Sequence, residues 1–256
     1  MSSAAFAARV MRFGLRIPQR LMSGAMRAAM GTITHVETEE AVAALTFDDG
    51  PHPVYTPRLL DILARHRARA TFFMIGENAA RYPDLVRRVA AAGHAIGNHS
   101  WNHPRMPSLA SAERRIQIRK CAHAIAPYGS RLFRPPRGLQ TKASRLDTLW
   151  LRHRVITWSI QADDWMHHDA MWTADHLERH IKPGSIILLH DMLWDLSVKE
   201  AADRSAMLEG LDRFLDRMRG RYRFLTVPEL LRTGRPARRN WYVKHDDDWA
   251  DWKRRL

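Results

Sequence analysis

The stretch that decides the fold runs from Val42 to Pro51 and reads Val-Ala-Ala-Leu-Thr-Phe-Asp-Asp-Gly-Pro. Its first six residues carry no charge and are mostly apolar, which predicts a buried β-strand over Val42–Phe47. Gly50 and Pro51 predict a turn directly afterwards. Two aspartates therefore stand at the carboxyl end of a buried strand, which is where parallel α/β folds bind their ligands.

Apolar runs and amphipathic patterns alternate along the rest of the chain. The predicted strands are Val42–Phe47, Ala70–Ile75, His94–Asn98, Leu132–Phe133, Val155–Ile160, Ile186–Leu189 and Tyr222–Leu225. The predicted helices are Thr56–His66, Pro83–Ala92, Ser108–Ile125, Lys142–Arg152, Trp172–His180, Glu200–Arg219 and a short helix from Pro228. About seven alternations favour an α/β fold with a parallel sheet covered by helices, either a nearly closed barrel or an open doubly wound sheet.

The composition is that of an ordinary globular protein. The chain has 256 residues, of which 45% are hydrophobic and 27% charged, and these values exclude a disordered chain, a collagen and a coiled coil. Its single cysteine, Cys121, excludes an intramolecular disulfide framework and a cysteine-rich zinc module, and it fits a reducing compartment. No stretch is long and apolar enough to span a bilayer.

The net charge of +14 is concentrated partly at the two flanks. Met1–His35 holds five arginines and no acid, and Arg235–Leu256 holds seven Lys or Arg against four Asp. We therefore predict a basic N-terminal segment over residues 1–40, a domain over 41–234 and a charged tail over 235–256. Basic flanks indicate non-specific attraction to anionic surfaces, and no specific nucleic-acid partner is expected. The oligomeric state is left open.

An apolar stripe is interleaved with arginines in the N-terminal segment. The stripe consists of Phe6, Val10, Phe13, Ile17 and Leu21. It favours a basic amphipathic helix that acts as a membrane-surface anchor or a targeting segment, and a frayed tail or a helix packed on the domain fits equally well. Because arginines interrupt the apolar residues, no cleaved signal peptide is expected. We expect the protein to be cytoplasmic. If the N-terminal helix is an anchor, the protein would also associate with a membrane surface.

Polar side chains gather at the ends of the predicted strands. They are Asp48, Asp49, His99, His103, Arg134, Gln161, Asp163, Asp164, Trp165, His190 and Asp191. The carboxyl ends of parallel strands meet at one edge of a sheet, so these side chains are expected to lie close together.

Asp, His and His are a common ligand set for a divalent metal, and three protein ligands leave the open position of a catalytic zinc site. Alone, the pair His99 and His103 would more often be a capping or core pair. Together with Asp48 and Asp49, it makes a metal site the favoured interpretation. One aspartate can bind the metal while the other takes a proton from water. The alternative is that Asp-Asp-Gly-Pro forms only a turn.

Two further residues fit acid and electrostatic roles. His190 ends an apolar strand, as a proton donor at a barrel rim would, although a core histidine also fits the pattern. Arg134 precedes two prolines, Pro135 and Pro136, which restrict its backbone. It is expected to pair with a carboxylate of the site or with substrate, whereas an ordinary surface ion pair is the alternative.

These motifs, taken in order, resemble the polysaccharide deacetylase family, also described as the NodB-homology domain of carbohydrate esterase family four. The matching motifs are Thr46-Phe47-Asp48-Asp49-Gly50-Pro51, His99-Ser100-Trp101-Asn102-His103, Arg134-Pro135-Pro136, Asp164-Trp165 and Leu188-Leu189-His190-Asp191. The resemblance covers roughly Val42 to Leu231. It implies a distorted (β/α) barrel with about seven strands, and metal-dependent removal of acetyl groups from sugars such as N-acetylglucosamine.

The resemblance also implies a role for each matching residue. Asp48 would be the general base, oriented by Arg134, and His190 the general acid, with Asp164 from the same motif set beside them. Asp49, His99 and His103 would hold the metal, usually zinc, with cobalt, manganese or nickel also compatible. A backbone N–H near Pro136 and Arg137 would stabilise the oxyanion. The residues expected to contact the substrate are Pro136, Arg137, Trp165 and Leu188.

Two positions depart from the family pattern. The family carries an aromatic residue where this chain has Arg137, and a cationic wall there favours an anionic or lipid-phosphate-linked sugar. The fourth motif of the family begins with an aspartate that pairs with the catalytic histidine. In this chain Gln161 occupies the position aligned with that aspartate, so we expect weaker support for a protonated His190.

The leading interpretation is a metal-dependent deacetylase acting on an oligo- or polysaccharide or a lipid-linked glycan. Two alternatives remain from the sequence alone. One is a catalytically weak carbohydrate-binding protein of the same fold, and the other is a basic binder of membrane surfaces or nucleic acid. The sequence carries no nucleic-acid motif.

Overall fold

The computed structural model describes residues 30–194, 202–239 and 241. The strands in these ranges are β1 Thr32–Glu37, β2 Val42–Asp48, β3 Ala70–Met74, β4 Ala95–Asn98, β5 Gly129–Phe133, β6 Arg154–Val155, β7 Ile160–Gln161, β8 Ile186–His190, β9 Arg223–Phe224 and β10 Arg235–Arg239. The α-helices are α1 Tyr55–Arg65, α2 Gly76–Arg81, α3 Pro83–Ala91, α4 Ser111–Ala124, α5 Lys142–Trp150, α6 Ala170–His180, α7 Ser205–Arg217 and α8 Val227–Leu230.

The main sheet has the strand order β6-β5-β4-β3-β2-β8-β7, and β9 pairs with β2 beside this path. Every pair of neighbouring strands in this sheet is parallel. The sheet curls into a half-barrel that helices cover, so the predicted distorted (β/α) barrel with about seven strands is confirmed.

The alternation of side chains along β2 and β8 separates two cores. Leu45 and Phe47 of β2 face the helices, whereas Ala44 belongs to the cluster inside the barrel. Because successive side chains of a strand point to opposite faces, Asp48 falls on the barrel-interior face with Ala44. Leu188 of β8 lies in the interior cluster in the same way. This period-two pattern brings the last residues of both strands into the barrel.

One predicted strand is divided in the structure. The prediction placed a single strand over Val155–Ile160, but β6 pairs with β5 and β7 pairs with β8, on opposite edges of the sheet. Between them the chain crosses the opening of the half-barrel, where the N–H of Thr157 donates to the carbonyl of Ile33. The prediction failed because the apolar run is continuous although its two ends hydrogen bond to different strands.

The sequence analysis missed β1, which fills the opening. Isolated bridges join Ile33 to Ile156 on one side and His35 to Ser185 on the other, and β10 pairs with β1 antiparallel. Both strands lie outside the predicted limits 41–234. β1 was missed although four of its six residues are β-branched, because it lies in the stretch assigned to the basic segment, and β10 was missed because it is rich in arginine. The division into a segment 1–40, a domain and a tail stays a prediction, and the apolar stripe from Phe6 to Leu21 lies outside the described residues.

Across the ranges that the structure describes, no helix is both long enough and apolar enough to cross a bilayer.

The contact between β1 and the turn before β8 gives a stability prediction. Gly184 has φ +76°, and a Cβ there would clash with the carbonyl of Val36 in β1. Gly220 has φ +74°, but a Cβ at that position would meet no atom within 4 Å. We expect Gly220→Ala to lower the free energy of unfolding by about 1 kcal/mol through backbone strain alone. Gly184→Ala should lower it by about 3 kcal/mol or more, because strain and the clash add.

Denaturant unfolding of both variants measures this difference. Equal losses of stability in Gly184→Ala and Gly220→Ala would contradict the packing of β1 against Gly184.

Candidate active site

Three side chains form a cluster with the donor set of a metal site. One ligand atom from each of Asp49, His99 and His103 lies within 4.8 Å of the others. The Oδ1 atom of Asp49 is 3.4 Å from His99 Nε2 and 3.5 Å from His103 Nε2. Among the described residues, no other group of three or more His, Cys, Asp or Glu side chains brings its ligand atoms within 4.8 Å of one another.

Backbone geometry fixes the orientation of Asp49. This residue has φ 74°, a left-handed conformation that turns the chain sharply at the end of β2. Its Oδ2 atom accepts a hydrogen bond of 2.9 Å from the backbone N–H of Trp194. Its carbonyl accepts one of 2.8 Å from the side-chain amide of Asn78. These two bonds leave Oδ1 facing the histidines.

The histidines present lone pairs to the same position. The carbonyl of Arg134 lies 2.8 Å from His99 Nδ1, and because a carbonyl only accepts, Nδ1 carries the proton and Nε2 the lone pair. Burial is the main cause that lowers the pKa of His103 to about 3, so this imidazole is neutral at pH 7.

The residues fit a divalent metal. Asp49 Oδ1 is buried without a hydrogen-bond partner, and burying a polar oxygen in this way is costly unless something binds it. A carboxylate oxygen and two imidazole nitrogens suit zinc and also the neighbouring transition metals.

A second buried group lies beside the cluster. Arg134 is fully buried and donates from Nη1 to Asp48 Oδ1 at 2.7 Å. The other acceptors of its guanidinium are Thr46 Oγ1 and the carbonyls of Ile156 and Thr157. One carboxylate oxygen of Asp48 is therefore occupied by Arg134, and Oδ2 lies 3.7 Å from His99 Nε2 on the side of the cluster.

His190 is held by a carboxylate and a buried guanidinium. Its Nδ1 lies 2.9 Å from Asp164 Oδ1, and its backbone N–H donates to Asp164 Oδ2 at 2.8 Å. Arg204 donates to the same Oδ2 atom and to the carbonyl of Asp164. Burial opposes protonation of the imidazole, but the charge and hydrogen bond of Asp164 outweigh it and raise the pKa of His190 to about 9.

The prediction for Gln161 is wrong. Its side-chain amide donates to Asp163 at 2.8 Å and accepts from Trp158 at 3.3 Å, so it does not contact His190. The partner of His190 is Asp164, which comes three residues later at the same rim. The position of Gln161 in the motif did not predict its hydrogen-bond partner, because the chain turns between β7 and Asp164.

The four predicted substrate-contacting residues lie around this rim. Leu188 is buried inside the barrel, and Trp165 packs against the same cluster. The ring of Trp165 meets the His190 ring edge-on with centroids 6.0 Å apart. Pro136 is buried, and Arg137 beside it has φ 56°. Their contact with substrate stays a prediction.

Sequence reasoning gave no role to three supporting residues, of which only Arg204 is absent from the motifs quoted above. Thr46 bonds both Arg134 and the carbonyl of Ile187, and its position two residues before Asp48 on an alternating strand was a usable signal. Arg204 lies 40 residues from Asp164 in the sequence, and nothing local marks it. Asp191 is fully buried, close to Gly50, and burial raises its pKa to about 7.

The sequence profile described as "Polysaccharide deacetylase" matches residues 35–155. A peptidoglycan-N-acetylglucosamine deacetylase of Bacillus cereus is 36% identical over 202 residues, which cover 77% of this chain and 91% of that protein. A chitooligosaccharide deacetylase of Azorhizobium caulinodans is 34% identical over 191 residues, which cover 70% of this chain and 91% of that protein.

A solved structure agrees with the sequence relatives. The crystal structure of the Bc1960 peptidoglycan N-acetylglucosamine deacetylase superposes with a TM-score of 0.71 at 30% identity, covering 80% of this chain and 94% of that one. The chain belongs to the polysaccharide deacetylase family, and it is a carbohydrate deacetylase.

The pair of Asp164 and His190 gives a pH prediction. If His190 is the general acid, as the family resemblance implies, it must be protonated to act, and the alkaline limb of the rate profile reports its pKa. Asp164 raises the pKa of His190, so Asp164→Asn should move the alkaline limb to lower pH by about one unit or more. Gln161→Ala is the matched control and should leave that limb in place, because Gln161 bonds Asp163 and Trp158. A shift in the control but not in Asp164→Asn would contradict the pairing.

Proposed function

We propose that the chain hydrolyses the acetamide of N-acetylglucosamine-type units in an oligo- or polysaccharide, with a divalent metal at Asp49, His99 and His103. The observation that carries this proposal is the register of two strands. Asp48 of β2 and His190 of β8 are direct partners on neighbouring parallel strands. A base and an acid therefore stand side by side next to the three metal-ligating side chains.

A divalent ion in this ligand set would polarise the acetyl carbonyl and make water more acidic. Zinc is the expected ion, and cobalt, manganese or nickel suit the same donors. The orphaned Oδ1 atom of Asp49 supports the assignment.

The two carboxylates have different roles in this proposal. Asp48 accepts the proton of the attacking water through Oδ2, because its Oδ1 atom is held by Arg134. The buried guanidinium of Arg134 fixes the direction of that carboxylate, since Arg134 is itself held by three further acceptors. Asp49 is turned away from this task by its bond from Trp194.

The leaving amine receives its proton from His190. With a pKa of about 9 the imidazole is protonated at neutral pH, and Asp164 holds its Nδ1 so that Nε2 is the nitrogen that gives the proton. The oxyanion that develops on the acetyl carbonyl would accept from a backbone N–H at Arg137. Leu188 and Trp165 would enclose the acetyl methyl group.

The substrate class follows from the relatives. Their names specify peptidoglycan N-acetylglucosamine and chitooligosaccharide, so we propose a glycan that carries this acetylated sugar, free or lipid-linked. The alternative of a catalytically weak carbohydrate-binding protein is not favoured. A metal-replete deacetylation screen over short chitooligosaccharides, peptidoglycan fragments and lipid-linked sugars tests the proposal, and release of no acetate from any of them would overturn it.

Separate variants distinguish metal binding from proton transfer. Chelation should abolish turnover, and zinc or cobalt should restore it. Asp49→Ala and His103→Ala should lose bound metal, whereas Asp48→Asn should retain metal and lose about 100-fold or more in kcat, because only the base is removed. Metal content by elemental analysis and acetate release are the two measurements. Full activity in Asp48→Asn would assign the base to another residue.

Arg137 should affect the choice of substrate. Arg137 lies next to the buried Pro136 at the rim, and its charge is one of the smaller causes, after burial, that lower the pKa of His103. A guanidinium can pair bidentately with a carboxylate or phosphate. We expect Arg137→Gln and Arg137→Tyr to reduce kcat/KM for an anionic sugar about tenfold more than for a neutral one. Equal losses on both substrates would show that the charge has no role in recognition.

A further inference from the structure

The outer faces of α4 and α5 carry an unusual concentration of exposed apolar side chains. Eight large hydrophobic residues are exposed in the described part of the chain, and half of them lie on these two helices. They are Ile116 at 52% exposure, Leu146 at 53%, Leu149 at 46% and Trp150 at 59%. Leu146, Leu149 and Trp150 are spaced i, i+3 and i+4, so they form one stripe on α5.

Cations surround this stripe. The guanidinium groups of Arg115 and Arg119 lie 4.8 Å and 5.1 Å from the ring centroid of Trp150. Lys142 is exposed one turn before Leu146 on the same side of α5. Ser111–Ala124 contains four Lys or Arg against one Glu, and Lys142–Trp150 contains two against one Asp. That aspartate, Asp147, is buried and paired with Arg114 and Arg115. Arg114 and Arg145 are buried as well, so the fully exposed charges of the two helices are those of Arg119, Lys120 and Lys142 against Glu113.

We propose that this basic-apolar face, made of Ile116, Leu146, Leu149 and Trp150 with Arg115, Arg119 and Lys142, binds the surface of an anionic phospholipid bilayer. Leucine and tryptophan side chains enter the boundary between headgroups and acyl chains, and flanking cations contact the lipid phosphates. Trp150, with two arginines over its ring, suits that boundary. Its ring can contact the acyl chains while the arginines beside it contact the charged headgroups.

Charge decides between this occupant and the others. A second copy of the chain would bring the same excess of cations against this face and be repelled. The segment before Met30 is attached close by, since Arg145 of α5 donates to the carbonyls of Met30 and Gly31. That segment is also basic, with five arginines and no acid before residue 36, so charge disfavours it as the occupant. An anionic bilayer attracts both. Nucleic acid would satisfy the cations but offers no apolar medium for Leu146 and Leu149.

The first test measures binding of the full chain to vesicles. Co-sedimentation with phosphatidylcholine vesicles that contain phosphatidylglycerol should exceed that with phosphatidylcholine alone, and it should fall as salt rises. Leu149→Gln/Trp150→Gln should weaken the binding about tenfold, because both apolar side chains leave the bilayer boundary. Met171→Gln is the matched control, since Met171 is exposed to the same extent as Leu149, 46%, on α6. Deacetylation of a soluble substrate should stay unchanged in both variants.

The second test locates the contact independently of the N-terminal segment. Leu149→Cys, labelled with an environment-sensitive fluorophore, should shift its emission to the blue with the anionic vesicles, whereas labelled Val54→Cys should not. The native Cys121 is fully buried, and burial raises the pKa of its thiol to about 12, so it stays unlabelled. Unchanged emission at position 149, or an equal shift at position 54, would overturn the proposal. A blue shift of the emission at position 149 that appears without vesicles, either on addition of nucleic acid or on raising the protein concentration, would also overturn the proposal.

Discussion

The buried guanidinium of Arg134 is the group on which the interior of the barrel depends. It joins Asp48 at the end of β2 to the carbonyls of Ile156 and Thr157, where the chain crosses the opening of the sheet. A charge without exposure to water is tolerated only when it is paired and fully hydrogen bonded. Breaking such a pair by removing one partner costs about 3–5 kcal/mol. The same contacts that close the barrel therefore also aim the carboxylate of Asp48, and fold and site share one ion pair.

The site has two halves with opposite electrostatic character. On one side, burial keeps His103 neutral and the carbonyl of Arg134 fixes the tautomer of His99, so both rings offer lone pairs. On the other side, Asp164, whose carboxylate is held in place by Arg204, keeps the neighbouring imidazole of His190 protonated. Histidines in one pocket thus have different protonation states, because His103 is buried with no hydrogen-bond partner at Nδ1, whereas Nδ1 of His190 meets the carboxylate of Asp164. In the proposed mechanism, this division would separate the groups that bind a cation from the group that donates a proton.

Much of the site was predictable from the sequence because strand periodicity is local information. An apolar run that ends in Asp48 or His190 indicates both the strand and the edge at which its last side chain lies. The contacts of Arg204 and Gln161 were not predictable, because they depend on the path of the chain after β7. In the same way β1 was missed, since it is held by bridges to Ile156 and Ser185 on two distant segments. Local pattern thus identified the strands that carry reactive groups but not the chain segments that brace them.

The pairing of β1 with β10 has a consequence for how the domain can be handled. β1 and β10 lie near the two ends of the described residues and form an antiparallel ladder over Thr32–Glu37. β1 also bridges Ile156 after β6 and Ser185 before β8. A fragment trimmed to residues 41–234 would lose both strands at once and expose the apolar lining around Ile156 and Trp158. Such a fragment would be prone to self-association through that opening. Fusion partners and affinity tags are therefore better placed before β1 or after β10 than at the boundaries 41 and 234.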